Sequence, residues 1–75
     1  LRARDMEGAL RCAEDMLRLA PDHVGLWREA GLMNQRLDRI GAALACLDRA
    51  IELEPTGETA NRLRAVVEEL RHRLN

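Results

Sequence analysis

The chain has 75 residues, 47% of them hydrophobic and 33% charged, with a formal net charge of −1, which allows one small domain and neither a disordered tail nor a membrane span. Its longest unbroken non-polar run, residues 40–47, is far shorter than the roughly 20 apolar residues a spanning helix needs. A single aromatic residue, Trp27, and the lack of a global basic field exclude the stacking platforms of single-strand nucleic-acid binders, and two cysteines are too few for a disulfide scaffold.

In chain order, Met6, Ala9, Leu10, Ala13 and Leu17 fall at i, i+3, i+4, i+7 and i+11, one face of a helix predicted over 5–19. Leu26, Trp27, Ala30, Gly31, Met33 and Leu37 make a second amphipathic stretch over 23–36. A third, over 39–53, carries Ile40, Ala43, Leu44, Leu47, Ala50 and Ile51. The fourth, over 57–74, sets Ala60, Leu63, Val66, Val67, Leu70 and Leu74 on one side and arginines and glutamates on the other. Asp5, Asp22, Asp38 and Thr56 stand just ahead of the stripes, where an N-cap oxygen is wanted. Pro21 and Pro55 follow the first and third helices, since a ring without an N–H cannot continue the ladder. Short turns then force neighbouring helices to run antiparallel.

The chain also repeats itself. A shift of 34 residues pairs Ala9 with Ala43, Leu10 with Leu44, Cys12 with Cys46, Leu19 with Leu53 and Pro21 with Pro55. Met6 with Ile40, Glu14 with Asp48, and Leu17 with Ile51 are conservative pairs at the same offset. One fixed period ending in a shared proline marks two copies of one helix-pair unit. Gly31 and Ala43 are small where the helices of a pair must approach closely, and Trp27 is the one large anchor.

These residues resemble the tetratricopeptide repeat family, whose 34-residue helix–turn–helix carries a W-x2-L-G-x2-Y, A-x3-F and terminal P pattern. Here Trp27, Ala30, Gly31 and Asn34, then Ala43, Leu47, Ala50 and Pro55, occupy those places, with Ala30, Asn34 and Leu47 departing from the usual leucine, tyrosine and aromatic. The resemblance implies an all-α, antiparallel helix-hairpin solenoid of four helices: a partial repeat at 1–23, a complete one at 24–57 and a C-terminal capping helix at 58–75. Leu1–Arg4 then reads as the last turn of a missing helix, and the chain as a fragment of a larger bacterial cytoplasmic protein. The D-x3-AL string at Asp5–Leu10 and the L-x-P string at Leu19–Pro21 also resemble the C-terminal repeats of bacterial transglutaminase-like proteins of the Sir-B type. No catalytic residue of that family falls within this chain.

In resembling repeats the first helix of each pair lines a concave groove that receives an extended peptide. Carried over, the groove positions are Arg28, Leu32, Gln35 and Arg36 on the second helix. With two residues inserted after Pro55, they are Arg64, Glu68, Arg71 and His72 on the fourth, where Leu63, Val66, Val67 and Leu70 replace Trp27, Ala30, Gly31 and Asn34. Arginines facing one concavity can hold carboxylates of an acidic peptide bidentately. Equally, they fit a solvated face of ion pairs worth ~0.3–0.5 kcal/mol each. Cys12 and Cys46 read as small hydrophobes, and His23 and His72 as solvated side chains. No spacing points to a metal, a cofactor or a catalytic dyad. The expected function is therefore a non-catalytic protein-interaction module with a protein or peptide partner. The alternative is a structural domain, or one that homodimerises through its exposed first helix, within a larger bacterial enzyme-like protein. Neither nucleic acid nor membrane is an expected partner.

Overall fold

The computed structural model describes residues 2–74, which form four helices joined by turns at 20–23, 37–39 and 54–57: α1 (Ala3–Leu19), α2 (Val24–Arg36), α3 (Ile40–Leu53) and α4 (Glu58–Leu74). Each lies within two residues of its predicted span. Helices adjacent in sequence pack on one another, whereas no Cα of α2 comes within 8 Å of one in α4, nor does any of α1 approach α3 that closely. The result is a row of antiparallel helices about 29 × 29 × 18 Å in extent, the predicted all-α helix-hairpin arrangement. Ala3 and Arg4 open α1 itself rather than closing an earlier helix; Leu1 lies outside the described residues.

Helix ends differ from the sequence reading in one consistent way: none of the four expected side-chain caps sits at an N-cap. Arg2 precedes α1 and Asp5 lies inside its first turn. The cap of α2 is His23, whose ring Nδ1 accepts the backbone N–H of Leu26 at 3.1 Å. His23 is thus tied to the helix start and not simply solvated. Arg39 precedes α3, and Gly57, at φ 104°, stands between Thr56 and α4. Asp38 serves the end of α2. At φ 60° it occupies the left-handed region, its N–H donates to the Gln35 carbonyl at 3.0 Å, and the Arg39 N–H donates to that of Asn34 at 2.9 Å. That pair of bonds is a Schellman stop, which an aspartate tolerates because its short polar side chain fits αL better than most.

Two clusters of buried side chains form the interior. Leu10 and Leu17 of α1 close on Ala30 of α2. Ala43, Leu47 and Ala50 of α3 close on Leu63, Val67 and Leu70 of α4. Trp27, half-buried, packs against both clusters and anchors its indole N–H on the Pro21 carbonyl at 2.7 Å. The seam between α2 and α3 is set by Gly31. A Cβ there would lie 2.5 Å from Leu47 Cδ2 and 2.7 Å from its Cγ, so only glycine lets the two helices meet this closely. Ala43, as expected, is fully buried. Asn34 is the one buried polar residue among those described, and its amide donates to the Ala30 carbonyl at 2.9 Å.

Candidate functional site

Between α2 and α4 the row of helices leaves an open groove of about 330 Å³, lined by Arg28 and Leu32 from α2 and by Thr59, Arg62, Leu63 and Val66 from α4. Arg28 and Leu32 share one helix face at i, i+4; Thr59, Arg62 and Val66 do so at successive turns of α4. Leu32, Leu63 and Val66 give the groove an apolar floor, and two guanidinium groups border it. Arg28 lies 3.8 Å from Glu29 and Arg62 lies 2.7 Å from Glu58, in pairs more than a third exposed and hence weak. Both guanidinium groups can exchange these partners for a ligand carboxylate at small cost. Gln35 and Arg36 continue along the C-terminal end of α2, beyond the residues lining the groove.

Arg64 and Arg71 lie elsewhere, so the arginines singled out in the sequence do not share one concavity. With Glu68 and Val67 they line a second recess of about 310 Å³ against Asp48 and Ile51 of α3. Arg71 pairs with Asp48 at 3.6 Å. Arg64 donates to the Pro55 carbonyl at 2.5 Å and to Asn61 Oδ1 at 3.3 Å, fastening the α3–α4 turn. His72 sits 3.5 Å from Glu68 on the exposed side of the same helix.

The reason is a one-residue error of register. Between α1 and α2 lies a third recess, lined by Glu14 and Leu17 of α1, Trp27 and Ala30 of α2 and Cys46 of α3. Asp48 and Ile51 are the repeat equivalents of Glu14 and Leu17, so Arg64 stands for Trp27 and Val67 for Ala30. The shift from α2 to α4 is 37 residues, not 36. Arg64, Glu68 and Arg71 therefore take the places of Trp27, Gly31 and Asn34, the side of the helix that α3 covers on α2. Likewise Val67, expected in the glycine's place, is buried against α3. Arg62, which the sequence reading left on the polar outside, and Thr59, which it did not single out, face the groove with Leu63 and Val66. Their i, i+3 spacing with Val66 was visible, but the flank of the buried stripe that faces α2 follows only from how α4 seats on α3.

The remaining reactive groups have structural surroundings. Cys46 is half-buried, and burial, with Glu14 nearby, pushes its thiol above the ordinary value of 9.0, only partly opposed by the Asn34 amide. Such a thiol stays protonated at neutral pH and is a poor nucleophile. Cys12 is exposed on α1. Among the described residues no three His, Cys, Asp or Glu side chains gather as a metal site, and no helix is long and apolar enough to cross a membrane.

A family model described as tetratricopeptide repeat matches residues 1–68. No curated protein and no solved structure matches the chain. With helix pairs repeating at 34 residues, a glycine at the closest seam and a family model spanning most of its length, the chain belongs to the tetratricopeptide repeat family.

Proposed function

We propose that the chain is a non-catalytic protein-interaction module that receives an extended, acidic peptide segment in the groove between α2 and α4. The observation that supports this reading is the pairing of two exchangeable guanidinium groups, Arg28 and Arg62, with an apolar floor of Leu32, Leu63 and Val66. A carboxylate would meet a planar fork of donors, and a neighbouring aliphatic side chain would cover the floor. Gln35 and Arg36 extend the α2 side of the same path and would contact a longer segment. Arg64 and Arg71 are held by the chain's own groups and serve the α3–α4 connection instead. The strings shared with the Sir-B type repeats lie on α1 and the turn after it, outside the groove, and bear on origin rather than on ligand. A bacterial cytoplasmic setting, as part of a larger protein, is likewise part of the proposal.

Selection from a displayed library of random peptides tests it. Bound peptides should be enriched in aspartate or glutamate beside an aliphatic residue, and an Arg28→Glu/Arg62→Glu variant of unchanged circular dichroism should retain none of them. Enrichment without acidic residues, or equal retention by the variant, would refute the groove as the binding surface.

A further inference from the structure

The third recess, of about 280 Å³, opens on the side of α2 away from the groove: Trp27 and Ala30 sit roughly 150° around the helix from Arg28 and Leu32. Leu17, Trp27 and Ala30 make its surface apolar, and Glu14 is its one carboxylate. Among the described residues no cation lies within ion-pair distance of Glu14. Its charge nevertheless bears on the inside of the recess, since after burial it is what pushes up the thiol of Cys46 on the opposite wall.

The repeat shows what such an acid takes. One unit on, Asp48, Ile51 and Val67 stand for Glu14, Leu17 and Ala30. There Arg71 lines the recess and its guanidinium meets Asp48 at 3.6 Å. In the first recess the place of Arg71 belongs to Asn34, which is buried and bonded to the Ala30 carbonyl at 2.9 Å, so Glu14 is left without a guanidinium. Trp27 stands where the second recess has Arg64, an indole in place of a like charge. Nor does the opening depend on what precedes α1. All three walls are helices of the chain, and the α3 equivalents of Glu14 and Leu17 themselves line an open recess although α2 packs on α3.

We propose that this recess takes an arginine side chain of a partner protein, with its aliphatic stem along Leu17 and Trp27 and its guanidinium on Glu14. Arginine fits better than lysine, because a planar, weakly hydrated guanidinium stacks on an indole while it holds a carboxylate. Arg18, the cation at the rim, is engaged by Asp15 at 3.3 Å, and both are exposed to screening solvent. The recess is separate from the α2–α4 groove and has the opposite preference in charge, so the two faces accept different segments.

The site holds its own reporters, the only tryptophan of the chain and one of its two cysteines. Titration with n-propylguanidinium, the arginine side chain alone, should change Trp27 fluorescence saturably, with a Kd of roughly 1–10 mM for so small a ligand. In a Cys12→Ser variant, alkylation of Cys46 by iodoacetamide should slow with the same midpoint. The neutral isostere n-propylurea, at equal ionic strength and unchanged circular dichroism, should do neither, and n-butylammonium should bind more weakly. Glu14→Gln, at an exposed position, should weaken binding at least roughly threefold, whereas Glu69→Gln, the same charge change on α4, should leave it unaltered. The absence of a saturable response in both readouts would overturn the proposal. So would n-propylurea binding as well as the cation, or affinity indifferent to Glu14→Gln.

Discussion

Replacing Gly31 with alanine tests the packing of the fold at its tightest point. The new methyl carbon would stand 2.5 Å from Leu47 Cδ2, 2.7 Å from Leu47 Cγ and 3.3 Å from Cys46 Cβ. Two of those separations are shorter than carbon atoms tolerate. Leu47 cannot swing aside, because it is fully buried in the α3–α4 cluster with Leu63, Val67 and Leu70. The helices must therefore part, and overpacking of this kind costs ~1–3 kcal/mol. Alanine's better helix propensity returns ~1 kcal/mol. With a rigid obstacle the cost falls in the upper part of its range, for a net loss of ~1–2 kcal/mol. In a domain of this size that lowers Tm by ~5–15 °C. Gly8→Ala is the counterpart: it sits in the body of α1 with no atom within 4 Å of the new carbon, so only the propensity gain remains. Thermal melts by circular dichroism should move the two variants in opposite directions. A Gly31→Ala melt at or above the parent's would refute the close α2–α3 seam.

Asp38→Gly should stabilise the chain by ~0.5–1 kcal/mol in urea titrations, because Asp38 holds φ 60° as the stop of α2, while Asp38→Ala should destabilise it. Trp27→Phe should cost ~1 kcal/mol for the lost bond from the indole N–H to Pro21, and Trp27→Ala about 3 kcal/mol, as read by far-ultraviolet circular dichroism. For Cys46 the folded thiol titrates above the ordinary 9.0, so the folded state holds the proton more tightly than the unfolded one. Stability is then intact below about pH 9 and declines as pH rises through the folded value, a decline that a Cys46→Ala variant should lack in urea titrations at graded pH. In the same structure Cys12, being exposed, should react with a maleimide well before Cys46 does.

What the sequence made legible was what periodicity carries. The four stripes placed every helix, since burial of an apolar row is the strongest force driving the chain to fold and its spacing is written in the sequence. The 34-residue self-match marked Ala43, and the smallness of Gly31 in the second stripe marked the other side of the seam. The caps were not legible, although acceptable capping residues stood at each boundary. A cap depends on the direction from which the chain enters a helix, and tertiary packing sets that direction. Asp38 shows how: it was expected to start α3, yet the turn needs a residue in the left-handed region to finish α2, and it takes that place. His23 shows the converse, a ring nitrogen doing what Asp22, one residue earlier, was expected to do.

The groove was half legible, and the missing half comes down to a single residue of register. Along α2 the groove residues follow from the repeat, and Arg28 and Leu32 do line it. Along α4 nothing in the apolar stripe distinguishes a shift of 36 from one of 37, because Val66 and Val67 are both apolar and either completes the row. One residue is roughly 100° of helix, enough to move Arg64 and Arg71 from one flank to the other and to bring Arg62 into the groove. The flank they occupy is where α3 covers Trp27, Gly31 and Asn34 on α2. Here it bears a guanidinium–carboxylate contact at 3.6 Å between Arg71 and Asp48, exposed and worth at most ~1 kcal/mol. These residues add little stability; they leave this flank of α4 charged and exposed where α2 carries Trp27, Gly31 and Asn34. Charge on α4 thus does two separate things, one on each side of the buried stripe: Arg62 borders the groove, while Arg64 and Arg71 tie the helix to the α3–α4 turn and to Asp48.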